Sequence, residues 1–126
     1  MGVHSKQIVL NSLISNVQCT IVESVGDAVY FSSNNTVSRA DASDISTARV
    51  SGFIESKQSN TECVVRIGGT LSKSGLSINT YFLDTSPGQI SINPPTASGN
   101  VVVKVGFGKS STKLLVEVSQ NRVIRS

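Results

Sequence analysis

Histidine carries much of the hydrolytic and metal-binding chemistry of proteins, and this chain contains a single one, His4. A serine–histidine–aspartate triad or a histidine-rich metal site would have to use this residue. His4 lies in the terminal segment of the chain, where ordering is least assured. We therefore expect no catalysis through His4, and the sequence predicts no metal and no cofactor.

Residues 106–111 end like a phosphate-binding loop, because Gly108-Lys109-Ser110 matches the last part of that motif. The motif needs an earlier glycine, five residues before Gly108, so that backbone amides can surround the phosphates. That position is Val103, and the segment leads into another strand-like run rather than into a helix. The phosphate-loop hypothesis therefore fails, and we predict a β-turn here.

Acidic residues are the remaining candidates for catalysis, and of the eight in the chain only Asp41 and Asp44 lie close in sequence. Their Asp-Ala-Ser-Asp spacing lacks the dense alternating oxygen ligands of a calcium loop. We expect Asp41 to cap a helical turn instead. A glycosidase-like pair of carboxylates from distant positions stays open, although no pattern indicates one. The sequence predicts that the protein is not an enzyme.

The two cysteines, Cys19 and Cys63, both lie inside apolar, strand-like runs. Free cysteine behaves as a small apolar side chain in protein cores, so we expect two buried free thiols. A disulfide between them is the alternative. It is disfavoured because the first residues show no secretory leader pattern, and an oxidising compartment is therefore not indicated.

Composition predicts one folded domain. The chain has 126 residues, of which 38% are hydrophobic and only 15% charged, too apolar for a disordered tail.

The formal net charge is +3, but the basic residues are scattered, so we expect no direct nucleic-acid binding. No apolar stretch approaches membrane-spanning length, and we expect no membrane contact. Aromatics are scarce at 5%, which favours additional contacts with neighbouring subunits.

The elements that must position these residues are strands. Apolar and β-branched residues alternate with a period of two, turn residues interrupt them, and no amphipathic helical period persists. We predict an all-β fold, a compact barrel or sandwich of roughly ten short strands with at most one short helical turn, at residues 40–45. We assign residues 1–14 to an N-terminal arm or first strand and residues 15–126 to one β-rich domain. The predicted strand runs are residues 7–14, 19–23, 28–31, 36–38, 49–55, 62–67, 70–72, 80–83, 89–92, 101–105, 113–118 and 122–124.

Several short sequence motifs, which we call phrases, occur in a fixed order and resemble a β-rich module that recurs in virion proteins of tailed bacteriophages. The resemblance covers most of residues 25–118. The phrases are Gly26-Asp27-Ala28-Val29-Tyr30, Ala40-Asp41-Ala42-Ser43, Val50-Ser51-Gly52-Phe53-Ile54, Gly69-Thr70-Leu71-Ser72, Tyr81-Phe82-Leu83-Asp84-Thr85-Ser86-Pro87-Gly88-Gln89-Ile90, Pro94-Pro95, Val105-Gly106-Phe107-Gly108 and Ser110-Ser111-Thr112-Lys113-Leu114-Leu115.

That module occurs in capsid decoration (cement) proteins and in tail-fibre or neck proteins. The resemblance implies a non-catalytic structural virion protein that is made in the host cytoplasm. Because no collagen-like or coiled-coil shaft accompanies the phrases, a decoration protein on the capsid surface is favoured. The alternative is a tail-fibre, neck or collar protein with a receptor- or glycan-binding role.

The partners implied by a decoration role are the major capsid protein and further copies of this chain, as a homo-trimer or homo-dimer. The apolar N-terminal run could add a strand to a capsid sheet edge, with its backbone donors supplying affinity. The alternative is that residues 7–14 form the first strand of the protein's own barrel. The partner-binding residues predicted for the arm are Val3, Gln7, Ile8, Val9 and Leu10.

Overall fold

The structure, a computed structural model, describes residues 12–126, and these residues are all-β, as predicted. Turns and irregular segments connect twelve strands. Their bounds are β1 Leu13–Gln18, β2 Ala28–Ser33, β3 Thr36–Arg39, β4 Gly52–Ser59, β5 Glu62–Arg66, β6 Gly69–Ser72, β7 Thr80–Leu83, β8 Ile90–Ser91, β9 Val101–Val102, β10 Lys104–Ser110, β11 Lys113–Val116 and β12 Val123–Ile124.

Strands β1 to β5 close into a barrel in the order β1-β3-β2-β4-β5. Strand β1 closes it by pairing antiparallel with β5 and, through Gln18 and Thr36, parallel with β3. The interior is filled by small and β-branched side chains, as expected of a narrow barrel without large aromatics. The buried interior residues are Val17, Cys19, Val29, Val37, Ile54, Cys63 and Val65.

Strands β6, β11, β10, β7 and β8 form a second, antiparallel sheet, and β9 pairs with β12 in a short ribbon. A second core cluster joins this sheet to the outside of the barrel. Alternation along β4 explains how one strand serves both cores, because Ile54 belongs to the barrel interior and its neighbour Phe53 to the second core. On β2, likewise, Val29 belongs to the barrel interior and its neighbour Ala28 to the second core.

Two predicted turns are confirmed. The β2–β3 hairpin turns at Asn34 and Asn35, and Asn35 has a φ of 53°, which asparagine tolerates well. At the second turn the Gln89 amide donates to the Ser86 carbonyl at 3.1 Å, with Pro87 and Gly88 between them. Gly88 has a φ of 78°, as a type II turn requires at that position.

Three local predictions are wrong. Residues 19–23 are a loop rather than a strand: β1 ends at Gln18, and the Glu23 side chain bonds to the Thr20 amide in place of a strand partner. Residues 101–105 are not one continuous strand: β9 pairs with β12, whereas β10, which starts at Lys104, pairs with β7 and β11. The turn predicted within residues 106–111 is shifted, since residues 106–110 belong to β10 and the reversal falls at 111–112.

Packing explains the two glycines in β10. A Cβ on Gly106 would lie 2.5 Å from the Leu115 carbonyl oxygen, and a Cβ on Gly108 would lie 2.0 Å from that of Ser77. These glycines therefore permit close approach of backbones within a strand, and they do not form a turn or a phosphate-binding loop.

Candidate functional site

The neighbouring aspartates, Asp41 and Asp44, hold the turn at residues 41–48 together. The Asp41 carboxylate accepts hydrogen bonds from the Ser43 amide at 3.0 Å and from the Thr47 hydroxyl at 3.0 Å. The Asp44 carboxylate accepts from the hydroxyl and the amide of Ser46, and these bonds lower the pKa of Asp44. Both groups therefore act as turn-stabilising carboxylates. The helix cap predicted for Asp41 does not form, because residues 42–47 are a turn and not a helix.

The two thiols lie in the barrel core and are not joined by a disulfide. Burial removes solvent from the Cys63 thiolate, and contact with the Cys19 thiol adds to the effect, so that the pKa of Cys63 rises to about 12. The thiolate is the nucleophilic form of cysteine. Cys63 therefore stays protonated near neutral pH and acts as a small core side chain.

An unusual surface lies in the loop between β1 and β2, residues 19–27, which we call the β1–β2 loop. Its aliphatic side chains point outward: Ile21 is 74% exposed, Val22 51% and Val25 57%. Its acidic side chains are turned inward, with Glu23 only 5% and Asp27 8% exposed. This is the reverse of the usual distribution, since charged groups are rarely buried unless they are paired or hydrogen-bonded.

Glu23 is buried because it closes a tight turn. Its Oε1 accepts hydrogen bonds from the Thr20 amide at 2.6 Å and from the Thr20 hydroxyl at 3.0 Å. From the other side, the Lys57 ammonium donates to the carbonyl oxygens of Thr20 at 2.7 Å and of Glu23 at 2.6 Å. The first half of the loop is therefore tied to β4 through a charged donor.

The second half of the loop repeats this arrangement. The Asp27 carboxylate accepts from the Ser24 amide at 2.9 Å, and the Gly26 amide donates to the Ile54 carbonyl at 2.9 Å. Lys73 reaches the Gly26 carbonyl at 3.2 Å. Gly26 itself has a φ of 92°, a conformation that other residues rarely adopt. Each half of the loop is thus anchored to the body of the protein.

The strand prediction missed this loop, but the sequence contains a signal for it. Thr20 with Glu23, and Ser24 with Asp27, both have the four-residue spacing of a capping box. In that motif the acidic side chain reaches back to the amide of the first residue, as both acids do here. Such side-chain bonds compete with strand pairing and so favour a turn.

The exposed aliphatic groups form a surface suited to binding another protein. Single exposed apolar residues are common, but three within five residues on a fixed loop are a concentrated patch. Fully burying a valine or isoleucine is worth about 1.5–3 kcal/mol, so each of these half- to three-quarters-exposed side chains offers about 1 kcal/mol. Because the backbone is already held, little ordering cost opposes binding.

Replacing Lys57 by methionine is expected to destabilise the protein by about 2–3 kcal/mol, since two carbonyl oxygens would lose a charged donor. Urea unfolding measures this change. Lys104→Met is the matched control, because Lys104 is exposed and its ammonium makes no hydrogen bond within residues 12–126. Equal unfolding midpoints for the two variants would contradict the anchoring role of Lys57.

The residues predicted for the N-terminal arm, Val3, Gln7, Ile8, Val9 and Leu10, lie outside the described residues, as does His4. Of the run at residues 7–14, Leu13 and Ile14 belong to β1 and pair with β5. The predicted boundary after residue 14 therefore falls inside the first strand of the barrel.

Within residues 12–126, histidine, cysteine and acidic side chains form no group of three that could hold a metal ion. The same residues contain no helix of the length and apolarity needed to cross a membrane. Comparisons of the chain with protein-family models, with curated proteins and with solved structures gave no match.

Proposed function

We propose that this protein is a structural virion component, a capsid decoration protein that binds and bridges subunits of the major capsid protein. The order of the phrases between residues 25 and 118 supports a virion module. The observation that carries the proposal is the β1–β2 loop, an anchored surface with Ile21, Val22 and Val25 exposed. Such a surface serves adhesion, and it needs no cofactor and no reactive side chain.

The mechanism is multivalent. A homo-trimer or homo-dimer presents several copies of the β1–β2 loop to neighbouring capsid subunits, so that weak individual contacts combine into tight attachment. A protein that binds only the intact shell stabilises the shell by mass action. This role involves neither nucleic acid nor membrane, and it places the protein on the capsid surface.

The test is binding to purified shells that lack this protein, measured by co-sedimentation. Changing Ile21 to serine and both Val22 and Val25 to threonine should weaken binding per subunit roughly a hundredfold, because about 3 kcal/mol of apolar burial is lost. Ile78→Ser is the matched control, since Ile78 is 70% exposed outside the loop. Unchanged binding of the triple variant would contradict the role of the loop, and binding to tails but not shells would contradict the decoration role.

The N-terminal arm remains a second proposed contact. Deleting residues 1–11 leaves all of β1 in place, because β1 begins at Leu13. If residues 1–11 add a strand to a capsid sheet, the deletion removes shell binding while the urea midpoint stays unchanged. A lowered midpoint would instead assign these residues to the protein's own fold.

A further inference from the structure

A cleft of about 510 Å³ lies between the barrel and the second sheet. Three connections form its walls: the segment that enters β4, the segment between β5 and β6, and the segment that follows β11. Arg49, Ser51, Gln120 and Arg122 supply polar groups to it. Its apolar wall consists of aliphatic side chains from all three connections, Val50, Ile67 and Val118.

Arg122 carries a group that needs a partner. Its Nε is buried and makes no hydrogen bond to any part of the chain that the structure describes. Buried polar atoms are nearly always hydrogen-bonded, because an unpaired one loses its hydration without compensation. Because Arg122 lines the cleft, a ligand there that accepts a hydrogen bond from this Nε would remove the penalty.

Arg49 also lines the cleft, on the segment that enters β4, and its side chain is held in place. Its guanidinium carbon lies 5.2 Å from the centre of the Tyr30 ring, within cation–π range. Its Nε donates to the Ser46 carbonyl at 2.9 Å. Neither terminal nitrogen of Arg49 is hydrogen-bonded within residues 12–126, so both are available to a ligand.

The charge in the cleft is unbalanced. No carboxylate lines it, and neither Arg49 nor Arg122 has a salt-bridge partner in the described part of the chain. Nearby, the Arg66 guanidinium is already neutralised by Glu55 at 2.7 Å. Two uncompensated guanidinium groups that line one cleft favour an anion, and their planar forks match the two oxygens of a carboxylate.

We propose that this cleft binds an acidic peptide segment, with a carboxylate side chain between Arg49 and Arg122 and a flanking aliphatic side chain against Val50, Ile67 and Val118. Sugars and bases are usually recognised by stacking on an aromatic ring, and no aromatic residue lines the cleft. That the segment belongs to a capsid subunit rests on the proposed function, whereas peptide binding does not.

The test uses the full-length protein and two blocked tripeptides, valine-glutamate-valine and valine-glutamine-valine. The glutamate peptide should shift the Nε–H NMR signals of Arg49 and Arg122, and the glutamine peptide should bind at least roughly tenfold more weakly. Arg49→Gln and Arg122→Gln should each lower the affinity for the glutamate peptide by a similar factor. Lys109→Gln removes an exposed charge from the far end of β10 and should change nothing.

Arg122→Lys keeps the charge without the planar fork, and it gives a second variant if Arg122→Gln fails to fold. Equal binding of the two peptides, or glutamate-peptide affinity unchanged in folded arginine variants, would overturn the proposal. The proposal would also be overturned if inorganic phosphate, at the concentration used for the glutamate peptide, shifted the same NMR signals. The cleft would then bind any anion. Peptide binding without shell binding would support the cleft and contradict the decoration role.

Discussion

Replacing Gly52 by alanine is expected to cost at least about 3 kcal/mol of unfolding free energy, a large fraction of the roughly 5–15 kcal/mol that stabilises a typical domain. A Cβ on Gly52 would lie 2.2 Å from the Arg66 carbonyl oxygen and 3.0 Å from its carbonyl carbon. A flexible side chain could move away, but this neighbour is backbone. Gly52 begins β4, whose next residue, Phe53, pairs with Arg66, so the strands cannot separate without opening the barrel.

Gly68→Ala is the matched control for this prediction. A Cβ on Gly68 would meet nothing closer than the Ser12 hydroxyl at 3.7 Å, which is ordinary contact. The unfolding free energy of Gly68→Ala, measured with urea, should stay within about 0.5 kcal/mol of that of the parent protein. If Gly52→Ala proves as stable as Gly68→Ala, the close approach of β4 and β5 is not a constraint on this fold.

The second large effect is expected from the adjacent residues Phe53 and Ile54, whose side chains are fully buried in different cores. Phe53→Ala should cost about 3–5 kcal/mol and Ile54→Ala about 2–5 kcal/mol, because each leaves a cavity. Both cores share strand β4, so we expect each variant to lower the midpoint of one common unfolding transition.

Phe107→Ala is the control for these two variants. Phe107 is 39% exposed on the outer face of β10, so its loss should cost no more than about 1 kcal/mol. Unfolding followed by both tyrosine fluorescence and circular dichroism tests the common transition. Two separate transitions, with Ile54→Ala shifting only one of them, would show that the barrel and the second sheet unfold independently.

Most strands could be predicted from the sequence because alternation is a local property. Residues 28–31 and 36–38 fall within β2 and β3, and the Asn34-Asn35 turn between them follows from the tolerance of asparagine for positive φ. The buried free thiols were likewise expected from their apolar neighbours. In each case the neighbouring residues carry enough information to select the conformation.

The failures occurred where distant residues select the conformation. Residues 101–105 look like one buried strand in the sequence. In the structure, β9 pairs with β12 near the end of the chain, whereas β10 joins the second sheet. Gly106 and Gly108 resemble turn glycines, yet they are needed because Leu115 and Ser77 approach them closely. The cleft that Arg49 and Arg122 line brings together segments about seventy residues apart, and no local pattern indicates it.

The sequence by itself therefore determined the all-β class, most of the strands and two of the turns, because a period of two and the chemistry of turn residues act over a few neighbours. Tertiary structure alone decided which strands close the barrel, which face of β4 enters which core, and which way the side chains of the β1–β2 loop point. The physical reason is that burial is a property of the assembled body. Ile21 is as apolar as Ile54, yet Ile21 is exposed on a loop that Glu23 and Lys57 hold in place, whereas the closed barrel buries Ile54.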